Sequence, residues 1–180
     1  LSTALQPQFY NELRTQQQLG YIVNAGYTEL EETLGLVFMI QSGRYDPNAL
    51  QQRVDAYFPK FLEGLSQIPE AQLDTLKRSV LGGKLRRSTS ISEETSRLFS
   101  IIRNRDADFD YNSREIDALQ RLTVADLQDI LRTHLPPERQ RRLVLRMVGS
   151  AHEDGPPSGN RIATIAEFKQ AHPCPAFCAP

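Results

Sequence analysis

The chain has 180 residues, 39% hydrophobic and 24% charged, with a formal net charge of −1. That balance suits a folded chain filling one core and excludes a disordered polyelectrolyte. Near-neutral charge argues against general polyanion binding, so no nucleic-acid partner is expected. The longest apolar run, Leu34–Ile40, is far shorter than the ~20 residues of a spanning helix, so no membrane partner is expected either.

In chain order, Leu1, Leu5, Phe9 and Leu13 form a stripe at four-residue spacing that predicts a helix. Pro7 places its well-formed part from that residue onward, and Gly20 reads as its C-terminal stop. Tyr21-Ile22-Val23 opens a strand, Glu29–Glu32 is a polar hairpin connection, and Thr33–Gln41 is a second strand, apolar on both faces. Asp46-Pro47 caps a helix whose inward face is Leu50, Val54, Tyr57, Phe58, Phe61, Leu62 and Leu65. Pro69-Glu70 opens another with Leu73, Leu76, Val80 and Leu81 inward, weakened at Gly82-Gly83. Ser90 and Glu93 spell a capping box for a third, containing Leu98, Phe99, Ile101 and Ile102. A short helix with Ile116 and Leu119 follows the polar stretch 104–112. Thr123 and Asp126 then cap a helix that ends at Pro136-Pro137, with Leu122 and Leu127 as its staple.

Leu143–Val148 reads as a last strand, 150–160 as a flexible Gly/Pro/Ser-rich loop, and 162–171 as a weak helix. The fold class is therefore α+β, an antiparallel sheet covered on one face by several helices, with a domain over 1–149 and a linker and tail over 150–180. Three strands are few for so many amphipathic helices, and no strand precedes the opening stripe. The domain is accordingly expected to be the later part of a larger one. No basic and apolar leader opens the chain at Leu1, so an export signal is expected to have been removed or never present.

Chemistry-bearing patterns are sparse. His134, His152 and His172 stand in neither H-E-x-x-H nor H-x-x-E-H, so no metal ligands and no catalytic residues are assigned. The tail His172-Pro173-Cys174 to Cys178 offers soft ligands without a matching pair upstream, and reads as an unstructured end or a local or intermolecular disulfide. Gly82-Gly83-Lys84 lacks the leading glycine and trailing hydroxyl of a phosphate loop. The basic clusters 84–87 and 139–142 lack interleaved aromatics and read as solvated faces.

One segment is specific. Leu13-Arg14-Thr15, Gln18-Leu19-Gly20-Tyr21 and Val23 fit L-R-T-x-x-Q-L-G-Y-x-V. This resembles the signature of the C-terminal half of the pitrilysin/insulysin family of inverted-zincin metallopeptidases, and Phe9-Tyr10-Asn11 is similar to its bacterial branch. Phe38-Met39-Ile40-Gln41-Ser42 and Ile165–Lys169 also resemble family segments. Arg14 and Tyr21 stand seven residues apart, two turns of a helix, and are expected to project to one side with Gly20 turning the backbone between them. Arginine's fork of donors and tyrosine's hydroxyl suit a substrate carbonyl or a developing oxyanion.

The resemblance implies a non-catalytic C-terminal domain of a zinc metalloendopeptidase that forms part of a peptide chamber. Arg14 and Tyr21 would contact the peptide backbone, and the partner would be an N-terminal catalytic half bearing the zinc. The chain itself would hold no cofactor. A second reading within the fold is an inactive scaffold module that pairs with an active peptidase subunit. The bacterial character points to a periplasm rather than a cytoplasm, although related enzymes occupy both.

The isolated chain is accordingly expected to bind no stoichiometric zinc and to hydrolyse no peptide. Metal analysis with a fluorogenic peptide assay tests this; chelator-sensitive turnover by the purified chain would overturn it.

Overall fold

The structure, a computed structural model, describes residues 1–30, 33–136, 139–150, 162 and 164–171. Its elements are α1 (Ser2–Phe9), a π-helical segment (Tyr10–Gln16), β1 (Ile22–Leu30), β2 (Thr33–Gln41), α2 (Pro47–Ser66), α3 (Glu70–Lys84), α4 (Ile91–Asn104), α5 (Tyr111–Arg121), α6 (Val124–His134) and α7 (Ile165–Ala171). This is the α+β class read from the sequence, with a two-stranded antiparallel sheet among the described residues.

Register puts Val23 opposite Ile40 and Ala25 opposite Phe38 on one face. That face meets the helices: Val23 and Ala25 are buried together with Leu5, Phe9, Leu13 and Leu19, Phe61 and Leu65 of α2, Leu73 of α3, and Leu127 and Leu131 of α6. An aromatic chain runs through this core. Phe9 meets Phe38 at 5.3 Å and Tyr57 at 5.4 Å, and Phe38 meets Phe58 at 5.5 Å between ring centroids. The tilted and edge-on angles suit the ring quadrupoles. The opposite face of the hairpin carries Val37 and Met39, each about half exposed. The second apolar side of β2 is therefore uncovered among the described residues.

The helix starts follow local chemistry. Asp46 Oδ1 accepts from the N–H groups of Asn48 and Ala49 at 2.9 and 3.1 Å, and Thr123 with Asp126 makes a complete capping box. Ser90 caps α4 by accepting from the Glu93 N–H. Glu93, however, reaches back to the N–H and hydroxyl of Thr89 rather than to Ser90, so this box is displaced by one residue.

Four expectations change. The first helix begins at Ser2 and carries Pro7 inside it, because burial of Ala4 and Leu5 outweighs one missing N–H so close to its start. Gly20 does not stop that helix; Gln18 does, in the left-handed conformation at φ 52°. Glu29 and Leu30, expected in the hairpin connection, belong to β1 and pair with Leu34 and Thr33.

The fourth change concerns Leu143–Val148, which pairs with neither strand of the sheet. It runs instead along α2, where Arg142 meets Asp55 and Arg146 meets Asn48. Strand-like residues alone make no ladder; pairing needs a second segment in register, and this one has none among the described residues. The weak helix near the end is present as α7. The 151–160 loop and both cysteines lie outside the described residues.

Gly20 has a different task from the expected one. A Cβ there would stand 2.1 Å from the Gln41 carbonyl oxygen and 3.2 Å from the Ser42 Cα, where the Tyr21 N–H donates to Gln41 at 2.9 Å. Any side chain forces the two backbones apart. Gly20→Ala should therefore cost about 3 kcal/mol, the upper end of overpacking penalties. Gly82→Ala, with nothing within 4 Å of its Cβ in α3, should stabilise by about 0.5–1 kcal/mol. Denaturant unfolding of both variants tests the contrast; equal effects would remove the close approach as the reason for glycine at position 20.

Candidate functional site

The signature segment lies where α1 passes into β1. A stripe spaced strictly by four drifts about 40° per step around an α-helix. Burying Leu5, Phe9 and Leu13 all at 0% exposure requires the drift to be wound back. The π segment does this, since its turn is wider than an α turn. The Gln17 N–H donates to the Glu12 carbonyl at 3.0 Å, and the Leu19 N–H reaches the Leu13 carbonyl at 3.0 Å. Gln18 then reverses the chain in the left-handed conformation, Leu19 drops into the core at 1% exposure, and Gly20 and Tyr21 dock on the end of β2.

Two signature side chains do not share in this packing. Arg14 sits half-buried on the π segment and Tyr21 is 84% exposed just before β1. Neither side chain makes a hydrogen bond or ion pair among the described residues, with each other or elsewhere. The seven-residue spacing is not two turns of one helix, because helical structure ends at Gln16 and Tyr21 follows the reversal at Gln18. The two are carried instead by consecutive elements, each held by backbone packing. The guanidinium and the phenol each carry hydrogen-bond donors, chemistry that suits carbonyl or carboxylate oxygens.

Residues that the sequence did not single out surround the π segment. Gln17 Nε2 donates to Glu12 Oε1 at 2.8 Å, and Arg53 of α2 reaches Gln17 Oε1 at 3.4 Å. The Tyr57 hydroxyl is buried without a hydrogen-bond partner among the described residues; burial, and then the nearby Glu12 charge, push its pKa up to about 12. The strict four-residue stripe was the signal available in the sequence, since an α-helix alone cannot keep it on one face.

Among the described residues no group of three His, Cys, Asp or Glu is placed to hold a metal ion. The basic clusters are largely engaged: Lys84 pairs with Glu115 at 2.5 Å, Arg86 with Glu93, and Arg142 with Asp55. No helix is long and apolar enough to cross a membrane among the described residues.

The family described as PQQ synthase PqqF-like, C-terminal lobe domain 4, matches residues 1–99. A nardilysin-like protein of Arabidopsis thaliana is 30% identical over 143 residues, covering 78% of this chain and 14% of its own length. Protease 3 of Salmonella typhi is 27% identical over 150 residues, covering 83% of the chain and 16% of its own. The crystal structure of pitrilysin superposes with a TM-score of 0.65 at 29% identity, over 71% of this chain and 14% of that one. The chain thus spans roughly a seventh of the length of these relatives.

Because the Tyr57 hydroxyl is buried unbonded, Tyr57→Phe should stabilise by about 0.5–1 kcal/mol at neutral pH. In the wild type the unfolded phenol ionises near pH 10 while the folded one holds its proton to about 12. The stability tied to the neutral phenol is therefore present below pH 10 and lost between these values. Alkaline unfolding followed with and without the substitution tests this; a Phe variant equally sensitive to alkali would overturn it.

Proposed function

The chain belongs to the PqqF-like C-terminal lobe domains of the pitrilysin/insulysin inverted-zincin peptidases, and from that premise we propose that it walls part of a peptide-holding chamber. In this reading Arg14 and Tyr21 grip the backbone of the bound peptide. The observation that supports it is the contrast within the signature. Leu13, Leu19 and Gly20 are committed to packing, whereas Arg14 and Tyr21 stand on pinned backbone with their donors unused among the described residues.

Hydrolysis itself would fall to an N-terminal half bearing the zinc, which would supply Lewis-acid chemistry there. In this reading the chain's own part is binding and orientation. Arginine and tyrosine donors aimed at a peptide carbonyl strengthen as negative charge develops on that oxygen. Backbone carbonyls are common to all peptides, so the grip is indifferent to substrate sequence.

In the peptidase that carries this domain, Tyr21→Phe and Arg14→Lys should each lower kcat by about 10²–10³, alike for two peptides of unrelated sequence, with zinc content and unfolding midpoint unchanged. Lysine keeps the charge but not the planar fork. Near-wild-type kcat/KM in both variants would remove these residues from the site. A loss confined to one peptide would shift their role from the backbone to a side-chain subsite.

A further inference from the structure

The π register of Tyr10–Gln16 is marked by one residue pair joined twice, Gln17 donating to Glu12 through its backbone N–H at 3.0 Å and through its side-chain amide at 2.8 Å. In an α-helix, residues five apart point about 140° apart around the axis and their side chains do not meet. The wider π turn brings them to one side. The side-chain bond therefore exists only while the segment stays in the π register, and Arg53 of α2 backs it by donating to Gln17 Oε1 at 3.4 Å. Arg14 lies between the two members of the pair.

We propose that Glu12 and Gln17 form a clasp that holds the π register and thereby sets the direction in which Arg14 presents its guanidinium. Both are positioning residues for the peptide grip, and this role rests on the reading of Arg14 as a backbone contact. Released from the clasp, the turn that follows the core-held Leu13 can tighten into α-helical bonding, which turns Arg14 about the axis relative to Tyr21, whose place is fixed by the end of β2. Misplacing a substrate-positioning group by about 1 Å can cost up to ~10²-fold in rate.

The test uses the peptidase that carries this domain, with Glu12→Ala and Glu12→Gln, each alone and combined with Arg14→Ala. Glutamine keeps an oxygen that accepts from Gln17; alanine does not. Glu12→Ala should lower kcat/KM by about 10- to 100-fold with the unfolding midpoint little changed, and Glu12→Gln should recover most of the loss. In the Arg14→Ala background Glu12→Ala should add little, because its effect passes through Arg14. The same loss in both backgrounds would overturn the clasp.

A crystal structure of Glu12→Ala decides the matter separately from activity. An α-helical segment with Arg14 displaced supports the clasp, and an unchanged π segment with Arg14 in place overturns it. Should Arg14→Ala prove fully active, the peptide grip fails, and this crystal structure alone judges the clasp.

Discussion

Phe9 is the point on which the arrangement turns. Its ring, at 0% exposure, touches Phe38 of β2 and Tyr57 of α2, so three elements distant in sequence meet on one side chain. A buried aromatic contributes on the order of 2–3 kcal/mol by burial and somewhat more through ring geometry. Once Phe9 fixes α1 against hairpin and helix, the chain between Phe9 and Val23 has little freedom. Leu13 and Leu19 must both enter the core, and the backbone must meet the end of β2. The π segment, the left-handed Gln18 and the bare Gly20 together satisfy those demands.

The signature thus consists of two interleaved sets of residues. Leu13, Leu19, Gly20 and Val23 make the turn from helix to strand, and their identities follow from volume and close approach. Arg14 and Tyr21 occupy the places left over and have no packing duty that explains them. Glu12 and Gln17 stand between the categories. They make a local bond whose value lies in the backbone geometry it stabilises.

The later helices are built more loosely. α4 and α5 are amphipathic yet contribute no fully buried residue, and Phe99 and Ile102 are more than half exposed. Polar links tether them: Arg105 pairs with Glu29 on the hairpin and lies 3.8 Å over the Tyr111 ring, and Lys84 pairs with Glu115. Exposed apolar side chains also include Val37 and Met39 on the outer hairpin face, Ile91 of α4, and Leu143, Leu145 and Met147 beyond α6.

Local chemistry explains why so much of the fold was legible in the sequence. Asp46, Ser90 and Thr123 each cap the helix they precede, because a short side-chain acceptor and the first free N–H groups lie within a few residues. The amphipathic stripes identified the inward faces of α2 and α3, and the signature singled out Arg14 and Tyr21 by residue type. Tertiary structure decided what depends on partners far along the chain. Leu143–Val148 is as apolar as a strand yet forms no ladder with β1 or β2, since ladder bonds belong to two segments and not one. Gly20 is glycine because of Gln41, twenty-one residues away, rather than because of the helix it follows. The wide turn that presents Arg14 arises because a core containing Leu5, Phe9 and Leu13 cannot be filled by a straight α-helix with a strict four-residue stripe.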